Sequence, residues 1–170
     1  MKFSPLPLIP LLLPSLVLAQ NASSPAGNVV TFSDPGIQLD ISLAIPNTTA
    51  APFPLLVTFS APLSVGWAGF ATGGCMLRSP LIVAWPNNKS VVATTRWATA
   101  FHPPTPYLNT TLSVLSSSVN ATHWSARVLC EKGCSDWYGG AIDPNNNNAT
   151  FGYGASSHAP TAPGDGEEWG

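Results

Sequence analysis

The sequence predicts an all-β fold, an antiparallel β-sandwich, on three observations. Short β-branched and aromatic runs recur at regular spacing, Gly, Pro and Asn interrupt them, and no helical apolar period is sustained over a dozen residues. In chain order the candidate strands are 28–32, 37–45, 54–59, 65–71, 81–85, 90–97, 108–115, 123–129 and 149–153. Turn signals separate them, among them Pro86-Asn87-Asn88 and Asp143-Pro144-Asn145. The pair Ser79-Pro80 marks a loop or edge, because proline brings no N–H to a sheet ladder. The run Leu81-Ile82-Val83-Ala84-Trp85 that follows has no polar alternation and reads as a strand buried on both faces. From Ser156 the chain turns to Ser, Pro, Gly, Asp and Glu, so 158–170 reads as a loop or tail, or as the end of an unfinished domain.

A length of 170 residues suits one domain, and 45% hydrophobic against 8% charged residues is the reverse of a disordered composition. The net charge of −2, with no basic cluster, excludes nucleic-acid partners and a polybasic membrane patch. Residues 1–19 carry a basic n-region at Lys2, an apolar stretch from Leu6 to Leu18 and the small-residue pattern Val17-Leu18-Ala19, the signature of a secretory signal peptide. Four prolines and a short apolar run argue against a membrane anchor there, and no other segment is long and apolar enough to span a bilayer. The mature domain is expected at 20–157, with five basic against eight acidic side chains from residue 20 onward, a net −3. Six Asn-X-Ser/Thr acceptors, Asn21, Asn47, Asn88, Asn109, Asn120 and Asn148, fall in polar or Pro-flanked stretches and fit an extracellular, secreted glycoprotein.

An oxidising compartment also suits the cysteines. Cys130 and Cys134 flank Glu131-Lys132-Gly133, where Gly133 permits the tight turn of a short disulfide loop. Covalent haem attachment would need Cys-x-x-Cys-His, and a zinc site a second ligand pair; neither is present. Cys75 is left over and reads as a small buried thiol. Catalytic machinery has no support: no Gly-x-Ser-x-Gly elbow, no phosphate cradle, no His-Glu-x-x-His, and carboxylates scattered through loops and tail. No catalytic residue is assigned.

One segment stands apart. In Val65-Gly66-Trp67-Ala68-Gly69-Phe70-Ala71-Thr72-Gly73-Gly74-Cys75-Met76, the only Met of the mature chain follows a Gly-Gly turn that lets backbone approach something flat. By composition Met76 reads as a core gap-filler; a thioether is also a soft neutral donor that suits low-spin haem iron opposite an imidazole.

That segment, with Leu81-Ile82-Val83-Ala84-Trp85-Pro86-Asn87, Thr95-Arg96-Trp97-Ala98-Thr99, Pro104-Thr105-Pro106-Tyr107, Thr122-His123-Trp124 and Cys130 to Cys134 followed by Trp137, resembles the cytochrome domain of fungal cellobiose dehydrogenase in order and spacing over about 28–157. The resemblance implies an immunoglobulin-like β-sandwich of the DOMON type, found also in related iron reductase domain proteins, holding one non-covalent haem b between Met and His axial ligands. It implies single-electron transfer from a flavin dehydrogenase or membrane reductase to a copper monooxygenase or ferric ion. Met76 matches the axial Met, Gly73 and Gly74 the turn before it, Cys130–Cys134 the disulfide, and Arg96 and Trp97 a motif expected to support the haem end.

Three departures stand against this pattern. Cys75 replaces a small apolar residue and Phe101 a Tyr able to bind a haem propionate. The axial His position, beyond a long loop after Phe151-Gly152-Tyr153-Gly154-Ala155-Ser156, holds no His. Of His102, His123 and His158, the last lies on the early part of that loop and is carried as the candidate second iron ligand. The expectation is a truncated product or a member that binds haem poorly, with a sheet edge left open. The alternative is a haem-free sandwich that binds carbohydrate or protein through some of Trp67, Trp85, Trp97, Trp124, Trp137 and Trp169.

Overall fold

The computed structural model describes residues 27–146 and 148–160; the expected signal peptide, Asn21, residues 161–170 and Trp169 lie outside the described residues. Every element is a strand: β1 (Gly27–Asp34), β2 (Leu39–Pro46), β3 (Leu55–Pro62), β4 (Trp67–Ala71), β5 (Leu81–Asn87), β6 (Ser90–Trp97), β7 (Thr105–Pro106), β8 (Thr111–Val119), β9 (His123–Lys132), β10 (Asp136–Trp137), β11 (Gly140–Ala141) and β12 (Gly152–Ser156). Two five-stranded antiparallel sheets, ordered β1-β2-β3-β9-β8 and β12-β4-β5-β6-β7, face each other, and β10-β11 form a small hairpin. All nine expected strands are present, β6 with the expected ends and the others with one or both ends shifted. The two-residue strands β7, β10 and β11 are too short to carry a period and were not foreseen.

Period-2 alternation builds the first sheet's inner face. Leu39, Ile41 and Leu43 of β2, Leu55, Val57 and Phe59 of β3, and Trp124, Ala126 and Val128 of β9 are buried in one cluster with Ala68, Phe70, Ile82 and Ala84 of the opposite sheet. Trp124 closes the end of that core and donates Nε1–H to the Val65 carbonyl at 2.9 Å.

Local chemistry sets the turns. Asn88 takes φ 57° in the two-residue β5–β6 turn, so β5 runs through Asn87, two residues further than the turn signal placed there implies. Asn120 Oδ1 accepts from Thr122 N, Thr122 Oγ1 and His123 N and fixes the β8–β9 turn. Strand β8 begins at Thr111 rather than 108 because the chain still turns at Thr110, whose hydroxyl donates to the Tyr107 carbonyl at 3.1 Å.

Strand β5 is buried on both faces, as its unbroken apolar run requires. Ile82 and Ala84 enter the main core, while Leu81, Val83 and Trp85 form a second cluster with Ala71 under Trp67, Met76 and Val92. At the other edge β12 pairs with β4 alone, and β1 leaves Val30 and Phe32 half-exposed over an apolar cleft of about 190 Å³. The Phe32 and Tyr153 rings meet across that cleft at 4.3 Å.

Candidate functional site

The outward face of the second sheet carries a cavity of about 480 Å³ with an apolar lining. The register explains it: Gly69 stands opposite Gly154, and Gly152 opposite Ala71, so the face of β4 and β12 is nearly bare of side chains. A Cβ on Gly69 or Gly154 would touch only the Trp67 ring, Val83 and a backbone oxygen at 3.4–3.8 Å, ordinary contact distances, so the open floor is not forced by crowding. Glycine inside a strand marks a close backbone approach, and here it leaves a flat slot walled by Trp67, Val83 and Leu81.

Met76 reaches this cavity from the loop after β4. The loop is pinned along its length: Thr72 N donates to the Pro80 carbonyl, Arg78 N to the Ala98 carbonyl, and Ser79 Oγ to the Cys75 carbonyl at 2.8 Å. Gly74 turns with φ 84° and borders the cavity, while a Cβ on Gly73 would strike Ser79 Cβ at 2.6 Å. The half-buried Met76 side chain is thereby held on Ala71, Leu81, Val83 and Trp85.

Cys75 is a correction: it is exposed and free, and it borders the cavity next to Met76 instead of lying buried. The loop projects it outward while its neighbours Thr72 and Ser79 turn in, and its Sγ lies 3.4 Å from the Leu77 carbonyl oxygen as a weak donor.

The remaining named residues fall elsewhere. Arg96 is buried opposite Leu81 in the β5–β6 register, outside the cavity lining. Desolvation lowers its pKa, and the guanidinium stays a cation. Trp97 stacks on Tyr107 at 4.9 Å, a packing contact along the β6–β7 edge. Cys130 and Cys134 form a buried disulfide. Asn47, Asn88, Asn109, Asn120 and Asn148 are all exposed. Trp85 and Trp124 are buried in the two clusters and offer no face to a saccharide.

Sequence reasoning missed Gly69, Gly152, Gly154, Trp67 and Tyr153 as cavity residues. The alternating glycines within strand-like runs were the available signal. Tyr153 closes the β12 edge, and its hydroxyl donates to Asp34 Oδ2 at 2.9 Å. That hydrogen bond, with desolvation and the Asp34 charge, raises the phenol pKa above its usual value.

Residues 27–168 match the family model described as the cytochrome domain of cellobiose dehydrogenase. The chain belongs to that family. A pyrroloquinoline quinone-dependent pyranose dehydrogenase of Coprinopsis cinerea is 34% identical over 114 residues, which is 66% of this chain and 15% of that protein. The match to this chain thus spans about 15% of the curated relative's length. Among solved structures, the cytochrome b domain of pyranose dehydrogenase from Coprinopsis cinerea superimposes with a TM-score of 0.70 at 28% identity, covering 80% of this chain and 72% of that one. The cytochrome domain of Myriococcum thermophilum cellobiose dehydrogenase gives 0.71 at 27%, covering 81% and 72%.

The cavity of this cytochrome domain fits a flat apolar macrocycle and one thioether donor. No imidazole borders it among the described residues. His102 Nδ1 lies 3.0 Å from the Pro103 carbonyl oxygen and His123 Nδ1 2.9 Å from Thr122 Oγ1, both exposed. His158 follows β12 at the end opposite the Gly152–Ala71 pair, with its backbone against Gly66. Four strand steps, roughly 13 Å, separate that pair from Ser156, two residues before His158.

Proposed function

We propose that this chain is a secreted b-type cytochrome domain in which the cavity lined by Gly69, Gly152 and Gly154 would hold haem b and Met76 would supply a thioether ligand to its iron. The observation that carries this reading is the thioether of Met76 held beside a bare, apolar strand face. Bound haem supplies a one-electron couple, which a neutral sulfur ligand shifts to higher potential. The protein's part is to exclude water through Trp67, Leu81 and Val83 and to hold Met76 rigidly through the pinned loop.

The donor in this reading is a dehydrogenase domain, flavin-dependent or, as the name of the pyranose dehydrogenase relative suggests, quinone-dependent, or else a membrane reductase; the acceptor is a copper monooxygenase or ferric ion. The domain is taken as 20–157 behind a leader at 1–19, with glycans on the exposed acceptors. The test is the visible spectrum of the secreted protein, oxidised and dithionite-reduced, beside Met76→Ala and His158→Ala. A sharp reduced α-band that disappears in Met76→Ala supports the assignment, and its loss or retention in His158→Ala decides whether that imidazole swings over to the iron. Colourless protein after haem addition overturns it.

A further inference from the structure

A second pocket, of about 470 Å³ and mostly polar, shares no residue with the haem cavity. It lies between the turn before β8, the disulfide loop and the start of β10. We propose that it binds a pyranose ring. Its volume falls within the range of about 300–1,000 Å³ usual for small-molecule sites.

The lining selects a neutral, hydroxyl-rich ligand. Its charged side chains are one carboxylate and one ammonium, Asp136 and Lys132, so the wall offers hydrogen bonding without net charge. Asp136 lines the pocket, and its Oδ1 is buried with no hydrogen-bond partner among the described residues, so the carboxylate is not consumed by an internal bond at that oxygen. A lone carboxylate is a poor metal site, and no group of three metal-ligating side chains exists among the described residues.

Two rings supply the apolar contact that the C–H face of a sugar needs. Trp137 is locked in place, since a Cβ on Gly140 would strike its ring at 2.7 Å and one on Gly73 at 3.0 Å. Tyr138, at the tip of the β10–β11 hairpin, is 93% exposed and has nothing of the protein's own to cover. Asn109, the acceptor of an Asn-Thr-Thr sequon, stands on the same wall, so the ring can come from a glycan on Asn109 itself or from a free saccharide chain.

Full-length protein made glycosylated and as Asn109→Gln separates the two sources. Saturation-transfer NMR with β-1,4-linked disaccharides of glucose and of N-acetylglucosamine is the readout, with Tyr138→Ala and Asp136→Asn introduced into each form. The Asn109→Gln protein is expected to bind at least one disaccharide, and removing the Tyr138 ring to weaken it roughly tenfold, the scale of one lost stacking contact. Binding blocked in the glycosylated form assigns the pocket to the protein's own glycan; equal binding assigns it to a free saccharide. No transfer to the Asn109→Gln protein from either disaccharide, or transfer untouched by both Tyr138→Ala and Asp136→Asn, overturns the proposal. Because Tyr138 is almost wholly exposed, that variant leaves the fold intact.

Discussion

Gly154→Val separates the proposed haem cavity from the stability of the sandwich. Gly154 lies in β12 with no positive φ, and its added Cβ would meet Trp67 ring atoms at 3.7 and 3.8 Å, ordinary contact distances, so the haem-free protein has room for a Cβ there. Strand preference for Val over Gly spans up to about 1 kcal/mol, so unfolding free energy is expected to hold or rise by that much. The same three carbons stand on the cavity floor. A flat group lying on the strands makes its contacts at about 3.5–4.0 Å, and a gap of even ~0.5–1 Å forfeits a quarter to a half of each. Haem affinity should therefore drop by at least about tenfold, equivalent to about 1.4 kcal/mol. Urea unfolding of the haem-free protein and Soret-band titration with haem read the two quantities separately. Wild-type haem affinity in the variant would refute the placement of the ring over β12, and a loss of stability would refute the account of the open floor. Gly152 cannot serve in the same experiment, because a Cβ there would lie 2.9 Å from the Gly74 carbonyl oxygen and disturb the loop that carries Met76.

Three further outcomes are expected. Trp124→Phe removes the donor to the buried Val65 carbonyl and should lower unfolding free energy by about 1–3 kcal/mol, read by urea denaturation. Replacing both Cys130 and Cys134 by Ser opens a loop of sequence separation 4 and should cost about 2 kcal/mol from released chain entropy, measured the same way. The Tyr153 phenol, raised in the folded state by Asp34, holds its proton longer than in the unfolded chain. Its contribution is complete below pH ~10 and is lost as pH rises through the folded-state pKa. Thermal melts from pH 9 to 12 should fall more steeply for wild type than for Tyr153→Phe, and parallel curves would contradict the Tyr153–Asp34 bond.

Much of the fold was legible because alternation is a local property. The run 90–97 predicts β6 at both ends, and the unbroken 81–85 run already implied two buried faces, which the two clusters on β5 bear out. The disulfide was legible for the same reason, since the turn at Gly133 with φ 80° is encoded within five residues. Cys75 was misjudged because burial in a loop depends on what the loop packs against, and here the inward positions went to Thr72 and Ser79.

The sequence by itself determined the strands, their turns, the exposed acceptor asparagines and Met76 as a soft donor beside a Gly-Gly turn. Only the tertiary structure decided that glycines 85 positions apart in the chain, Gly69 and Gly154, meet across one pair of strands to make a flat slot. It also decided that Arg96 and Trp97 stand away from that slot and that His158 follows the opposite end of β12. Which residues a strand exposes is set by its own period; which strand lies beside it, and in which register, is set by long-range pairing that no local pattern contains.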